Sequence, residues 1–174
     1  VLEARQACKD GATEIDMVVN VGKVLGEDWS YIRKEVKAIN TECEKHKAIL
    51  KVIFENDFLP EDKFYIKLCT ICSKIGVAFI KTSTGYGFVN DDDGKYSYEG
   101  ATEHDLKLMR KYSDSKVQLK AAGGVRTLEG LLWARDLGCT RLGASATVTI
   151  MEEAKVRLGI TDKEKETKEN TSGY

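Results

Sequence analysis

The chain has 174 residues, 42% of them hydrophobic and 32% charged, with 27 basic against 28 acidic residues and a formal net charge of −1. That is enough apolar content for one globular domain with a buried core, and the near-neutral balance argues against nucleic acid or an anionic membrane as partner. No apolar run reaches the roughly 20 residues of a membrane span, and the opening VLEARQACKDG lacks the charged-then-apolar pattern of a leader.

Taken in chain order, residues 3–9 read as the end of a helix closed by DGA, and TEIDMVVN (13–20) as a strand. DWSYIRKEVKAINTECEKH (28–46) carries Tyr31, Ile32, Val36 and Ile39 on one helical stripe. AILKVIFE (48–55) is a strand, and PEDKFYIKLCTICSKIG (60–76) a helix opened by the only proline and closed by glycine. VAFIK (77–81) is a strand followed by a long polar loop, GYGFVNDDDGKYSYEGA (85–101), a candidate lid or an exposed excursion. Then come a Thr-capped helix (102–112), a strand KVQLKA (116–121), a second Thr-capped helix (127–138), a strand TRLGAS (140–145) and a last helix (147–159). Five strands alternating with helices predict an α/β fold on a parallel sheet, open or closed into a barrel. The final TDKEKETKENTSGY (161–174) has almost no apolar residue and reads as a flexible tail.

Five cysteines stand at 8, 43, 69, 72 and 139. The odd count and irregular spacing point to a reducing compartment, hence the cytoplasm, rather than a disulfide framework. Cys69 and Cys72 are spaced as C-x-x-C but sit in an apolar helical stretch with no second Cys/His pair nearby. They read as packing residues, not zinc ligands. DDDG in the long loop lacks the spaced ligands and distal Glu of a calcium loop, so no metal is expected. His46 and His104 have no visible nucleophile to serve.

Alternate residues of a strand share a face. On that basis Asp16 lies with Glu14, Val18 and Asn20, Lys51 with Glu55, Lys81 with Val77 and Phe79, and Lys120 with Gln118. Any one of these is most simply a surface position. Together, charged residues at the C-terminal ends of consecutive strands predict a shared cleft on the edge where α/β folds bind ligands. FIKTSTG and QLKAAGG place Lys81 and Lys120 on successive strands, about 4.8 Å apart if those strands pair. Two ammonium groups that close repel, which favours loss of one proton. A neutral lysine amine can attack a carbonyl to form a Schiff base, with Asp16 as the carboxylate for proton transfer. After the second lysine, AAGGVRT and LGASAT each run from a strand into a helix, a junction that suits a phosphate. Arg126 either adds charge there or is a surface residue.

In order and spacing, TEIDMVVNVG, LKVIFE, FIKTSTG, LKAAGGVRT and RLGAS resemble the motifs of the deoxyribose-phosphate aldolases over nearly all of residues 3–158. The resemblance implies a (β/α)8 TIM-barrel fold of which residues 1–160 hold about five β/α units, the first three strands being absent. It implies a class I lyase without cofactor or metal. The enzyme would reversibly cleave 2-deoxy-D-ribose 5-phosphate to D-glyceraldehyde 3-phosphate and acetaldehyde in deoxynucleotide catabolism. By motif, Lys81 looks like the Schiff-base lysine, Lys120 like its pKa-tuning and proton-transfer partner, and Asp16 like the proton relay. Gly85, Gly123, Gly124, Gly143 and Ser145 fall where the family binds phosphate. Some members end in a tyrosine that reaches the site, which makes Tyr174 a candidate proton shuttle. The implied partner is a small sugar phosphate, with homo-oligomerisation as the candidate assembly. Two alternatives stand beside this reading: a truncated, inactive aldolase-like fragment, and a related Schiff-base aldolase for another sugar phosphate, with loop 85–101 governing substrate access.

Overall fold

Residues 1–90 and 93–160 are described by a computed structural model. In chain order its elements are α1 (Leu2–Lys9), β1 (Glu14–Val18), α2 (Val21–Leu25), α3 (Trp29–Lys45), β2 (Ile49–Ile53), α4 (Asp62–Ile75) and β3 (Phe79–Lys81). They continue with β4 (Val89–Asn90), β5 (Tyr96–Ser97), α5 (Glu103–Tyr112), β6 (Gln118–Ala122), α6 (Leu128–Asp136), β7 (Cys139–Gly143) and α7 (Thr147–Arg157). Five strands pair in the order β1-β2-β3-β6-β7, all parallel, as the alternating pattern predicts. β4 and β5 form a separate antiparallel hairpin.

Helices α2, α3, α5 and α6 start where a side-chain oxygen meets an unpaired N–H. Asp28 caps α3 by accepting from Tyr31 N, Thr102 caps α5 by accepting from Asp105 N, and Thr127 caps α6 by accepting from Gly130 N. Several boundaries differ from expectation for local reasons. The first strand stops at Val18 because the Asn20 side chain accepts from Lys23 N and opens α2. Asn20 therefore leaves the strand face assigned to it. The second strand stops at Ile53 because Glu55 takes left-handed backbone (φ 56) and leads into a short 3-10 turn, Asn56–Phe58. Pro60 precedes the start of α4 rather than opening it. Residues 85–101, expected as a loop, contain the β4–β5 hairpin. Residues 161–174, the expected tail, lie outside the described residues.

The period-two pattern sorts the sheet into two faces. Met17, Leu50, Val52, Ile80, Leu119 and Ala121 are buried in one apolar cluster with Ile32 and Val36 of α3, Leu68 and Cys72 of α4, Leu106 and Met109 of α5, and Ala134 of α6. Cys69 also lies in this cluster, so the C-x-x-C pair packs the core. Burial pushes the Cys69 thiol up to about 12. The opposite face carries Glu14, Asp16, Lys51, Phe79, Lys81, Lys120 and Arg141.

This second face is concave. β6 is the third neighbour of β1, about 14 Å away in a flat sheet, yet Lys120 Nζ donates to Asp16 at 3.1 Å. Arg141 on β7 reaches Glu14 on β1, bridging the two edges of the sheet. The fold is a partial barrel, with its helices outside and its charged residues inside. Among the described residues, no helix is long and apolar enough to cross a membrane.

Leu119, fully buried on the central part of the sheet, sets the scale of core stability. Leu119→Ala is expected to lower the unfolding free energy by about 2–5 kcal/mol, read from urea denaturation; a loss within error would contradict the two-face assignment.

Candidate active site

Strand register brings the predicted residues together. Lys81 is the partner of Lys120 across β3 and β6, and Lys120 is the partner of Arg141 across β6 and β7. Three cations therefore stand in one row on the inner face. Across from them, β1 presents Asp16, whose register partner on β2 is Lys51. The Asp16 carboxylate is divided among three lysines. Oδ1 accepts from Lys51 Nζ at 2.8 Å, and Oδ2 accepts from Lys81 Nζ at 2.9 Å and Lys120 Nζ at 3.1 Å. The side chains of Lys51, Lys81 and Lys120 are only 7%, 10% and 13% exposed.

Such burial of charge is tolerable only with this pairing. It also decides the protonation states. Burial alone would raise the Asp16 pKa, but the hydrogen bonds from Lys51, Lys81 and Lys120 outweigh it and hold the carboxyl well below the usual range. Asp16 is therefore ionised at neutral pH. Lys120 moves the other way for a lysine: burial lowers its pKa, Asp16 opposes the shift, and the positive charges of Lys81 and Lys51 reinforce it. Lys51 is also penalised by burial, but its bonds to Asp16 and Glu14 keep its pKa above the ordinary value. Lys51 thus stays a fixed cation, while Lys120 gives up its proton more readily than a free lysine.

Lys81 opens into a cavity of about 480 Å3. Gly85, Gly123, Gly124, Gly143 and Ser145 line it, as does Arg126, whose place the sequence left open. The glycines here have steric reasons. A Cβ on Gly143 would press on Ala122 Cβ at 3.3 Å and touch Lys120 Cε at 3.5 Å, an ordinary contact distance, so the close neighbour there is Ala122. Gly100 and Gly123 touch backbone to backbone, and a Cβ on Gly100 would fall 2.6 Å from Gly123 C. That contact, with Ala101 N donating to Gly123 O at 3.2 Å, ties the end of the 85–101 segment to the glycine turn. Asp57 secures the same segment by accepting from Gly100 N at 3.1 Å.

The turn after Lys81 is equally fixed. Thr82 Oγ1 donates to Ala122 O at 2.8 Å and accepts from Ala122 N at 3.0 Å, clamping β3 to β6. Buried Glu55 accepts from Ser83 Oγ and Thr84 N, both at 2.9 Å. The outer wall is aromatic: Tyr86, Phe88 and Tyr98 line the cavity, with Phe88 and Tyr98 packed edge to face at 5.1 Å between ring centres.

Every predicted site residue among those described therefore joins one constellation. Lys81 and the phosphate-type residues line the cavity, Asp16 stands one hydrogen bond behind Lys81, and Lys120 meets Lys81 through the shared Asp16 Oδ2. Tyr174 lies outside the described residues. His104 instead pairs with Asp62 on the surface at 2.8 Å, and His46 lies 3.5 Å from Glu42. Sequence reasoning missed the part played by Lys51 and Glu14, although it placed both on inner faces. It also missed Arg141, whose signal was present: Arg141 stands two residues before Gly143, on the same face of the last strand.

Known proteins share this sequence and architecture. Residues 1–140 match the model of the DeoC/LacD family aldolases. The deoxyribose-phosphate aldolase of Rhodopirellula baltica is 44% identical over 158 residues, 91% of this chain, and the chain spans 61% of that relative's length. Among solved structures, the aldolase QR15 superposes with a TM-score of 0.79 at 32% identity, over 92% of this chain and 67% of that one. A tetrameric deoxyribose phosphate aldolase of Aeropyrum pernix superposes with a TM-score of 0.73 at 26% identity, over 88% of this chain and 60% of that one. With the motifs, the parallel partial barrel and the family match in agreement, this chain belongs to the DeoC/LacD aldolase family.

Proposed function

We propose that this chain carries the reaction centre of a class I aldolase that reversibly cleaves 2-deoxy-D-ribose 5-phosphate to D-glyceraldehyde 3-phosphate and acetaldehyde, a step of deoxynucleotide catabolism. The observation that carries this reading is the pair of buried lysines sharing Asp16 Oδ2 at the head of a glycine-lined cavity.

The chemistry follows from that arrangement. With two lysines on one carboxylate oxygen, Lys120 and Lys81 compete for the same counter-charge, and the depressed Lys120 gives a nearby amine that accepts and returns protons. Lys81 Nζ, as the free amine, attacks the C1 aldehyde of the open-chain sugar. Loss of water gives an iminium on C1. The C3 hydroxyl proton passes to a base held by Asp16, the C3–O electrons form the new carbonyl, and the C2–C3 bond breaks with its electron pair drawn toward the iminium. Glyceraldehyde 3-phosphate leaves. The remaining enamine takes a proton on C2, and hydrolysis releases acetaldehyde and restores Lys81. Gly123, Gly124, Gly143 and Ser145 offer backbone N–H groups and a hydroxyl to the phosphate, with Arg126 supplying charge.

A second reading within the same chemistry is favoured by the aromatic wall of Tyr86, Phe88 and Tyr98: a different sugar phosphate bound by the same lysine. Relative turnover of deoxyribose 5-phosphate and ketose phosphates separates the two. Homo-oligomerisation is part of the proposal, supported by the tetrameric relative. Cytoplasmic residence is supported by five free cysteines, all buried.

Borohydride reduction in the presence of acetaldehyde is expected to add a stable ethyl group on Lys81, read by peptide mass, and to add none in Lys81→Met. An unmodified Lys81 in folded protein would sink the Schiff-base reading. Asp16→Asn is expected to lower kcat by about 10²–10⁴-fold while leaving some adduct, because proton transfer is lost but the nucleophile remains. Lys120→Met is expected to move the pH profile of adduct formation upward, since a neighbouring positive charge no longer favours the free amine. An unchanged profile would remove Lys120 from the tuning role.

A further inference from the structure

Glu14 and Arg141 have no part in the chemistry above, yet both are joined to it without a break. Lys51 Nζ donates to Asp16 Oδ1 at 2.8 Å and lies 2.9 Å from Glu14 Oε2, the same oxygen that Arg141 reaches from β7. Arg141 is also the register partner of Lys120, and its guanidinium carbon lies 4.9 Å from the centre of the Phe79 ring. Phe79 is two residues before Lys81 on the same face of β3. One side chain on the edge strand thus touches β1 through Glu14 and β3 through Phe79, and stands beside Lys120 on β6.

The charged groups facing the lysine pair are Asp16 and Glu14 from β1, Lys51 from β2 and Arg141 from β7. Arginine keeps its charge at every working pH, so Arg141 contributes a constant positive potential beside the lysine pair. Its second effect is geometric. Glu14 is about one-third exposed, and a carboxylate with that freedom needs a second partner to stay in place. Held by Arg141, Glu14 keeps Lys51 between two carboxylates, and Lys51 in turn fixes the plane of Asp16, whose Oδ2 remains for Lys81 and Lys120.

We propose that Arg141 is a positioning residue for the Schiff-base lysine. It anchors Glu14 and thereby the Glu14–Lys51–Asp16 chain, and it adds the third cation of the Lys81–Lys120–Arg141 row, which favours the free amine. Loss of Arg141 acts in one direction through both routes: less repulsion within the row, and a Glu14 charge left to the lysines alone. Loss of the Glu14 charge acts in the opposite direction. The inference rests on the Schiff-base reading of Lys81.

The test is the pH dependence of adduct formation on Lys81 with acetaldehyde and a hydride donor, followed by peptide mass. Arg141→Met is expected to move the midpoint up by roughly 0.5–1 pH unit, Arg141→Lys to restore it, and Glu14→Gln to move it down. A purely packing role at Phe79 would give no such opposed pair and no rescue by lysine. Equal midpoints in wild type and Arg141→Met, or equal shifts in Arg141→Met and Arg141→Lys, overturn the inference. If Arg141→Met does not fold, Glu14→Gln decides: a midpoint unmoved or moved upward overturns it. A wild-type chain that forms no adduct overturns the Schiff-base reading and this inference together, whereas adduct in wild type with unmoved variants overturns this inference alone.

Discussion

One carboxylate organises the inner face of this protein. Asp16 accepts hydrogen bonds from Lys51, Lys81 and Lys120, three ammonium-bearing side chains that would otherwise repel one another inside a half-closed barrel. Without that anion the lysines would have to turn to solvent or lose their protons. With it, they converge from three strands on one point. The curl of the sheet serves the same end, because the β6 lysine meets the β1 carboxylate only when the flat-sheet distance between them has been closed.

The arrangement leaves an imbalance that chemistry can use. Two carboxylates, Asp16 and Glu14, face four basic side chains, Lys51, Lys81, Lys120 and Arg141. If all four were protonated, the cluster would carry a net positive charge in a poorly solvated place. The least costly relief is loss of a proton from a lysine, since arginine does not titrate and Lys51 is held charged between two anions. Lys120 is the lysine whose proton is held less firmly, lowered by burial and by the charges of Lys81 and Lys51 against the pull of Asp16. The same excess gives the glycine-lined cavity beside Lys81 a positive potential, which favours negatively charged groups.

Much of this was legible in the sequence because it depends on period and order. Parallel strands alternating with helices, Asp16, Lys81 and Lys120 on inner faces, and glycines at two strand-to-helix junctions all follow from local pattern, and the observed register aligns them. What stayed hidden depends on curvature. Glu14 and Arg141 are 127 positions apart and lie on opposite edges of the sheet. No alternation rule brings such residues together, whereas curling the sheet does. The hairpin within 85–101 was hidden for a different reason: its two strands have two residues each, too short for any period. Its position comes from Asp57 and from the Gly100–Gly123 contact, both distant in sequence.

The hairpin and the charge cluster meet at Gly123. On one side this glycine touches Gly100, which ends the segment carrying the aromatic wall. On the other it follows Ala121 and Ala122 on β6, the strand of Lys120. The aromatic wall of the cavity and the strand that carries Lys120 are thus fixed to the same turn. Gly123 and Gly124 line the same cavity as Lys81, so a shift of that turn would alter the cavity wall and the end of the Lys120 strand together. This accounts for two glycines meeting there backbone to backbone: a side chain on either would push the hairpin off the turn and part the aromatic wall from the strand of Lys120.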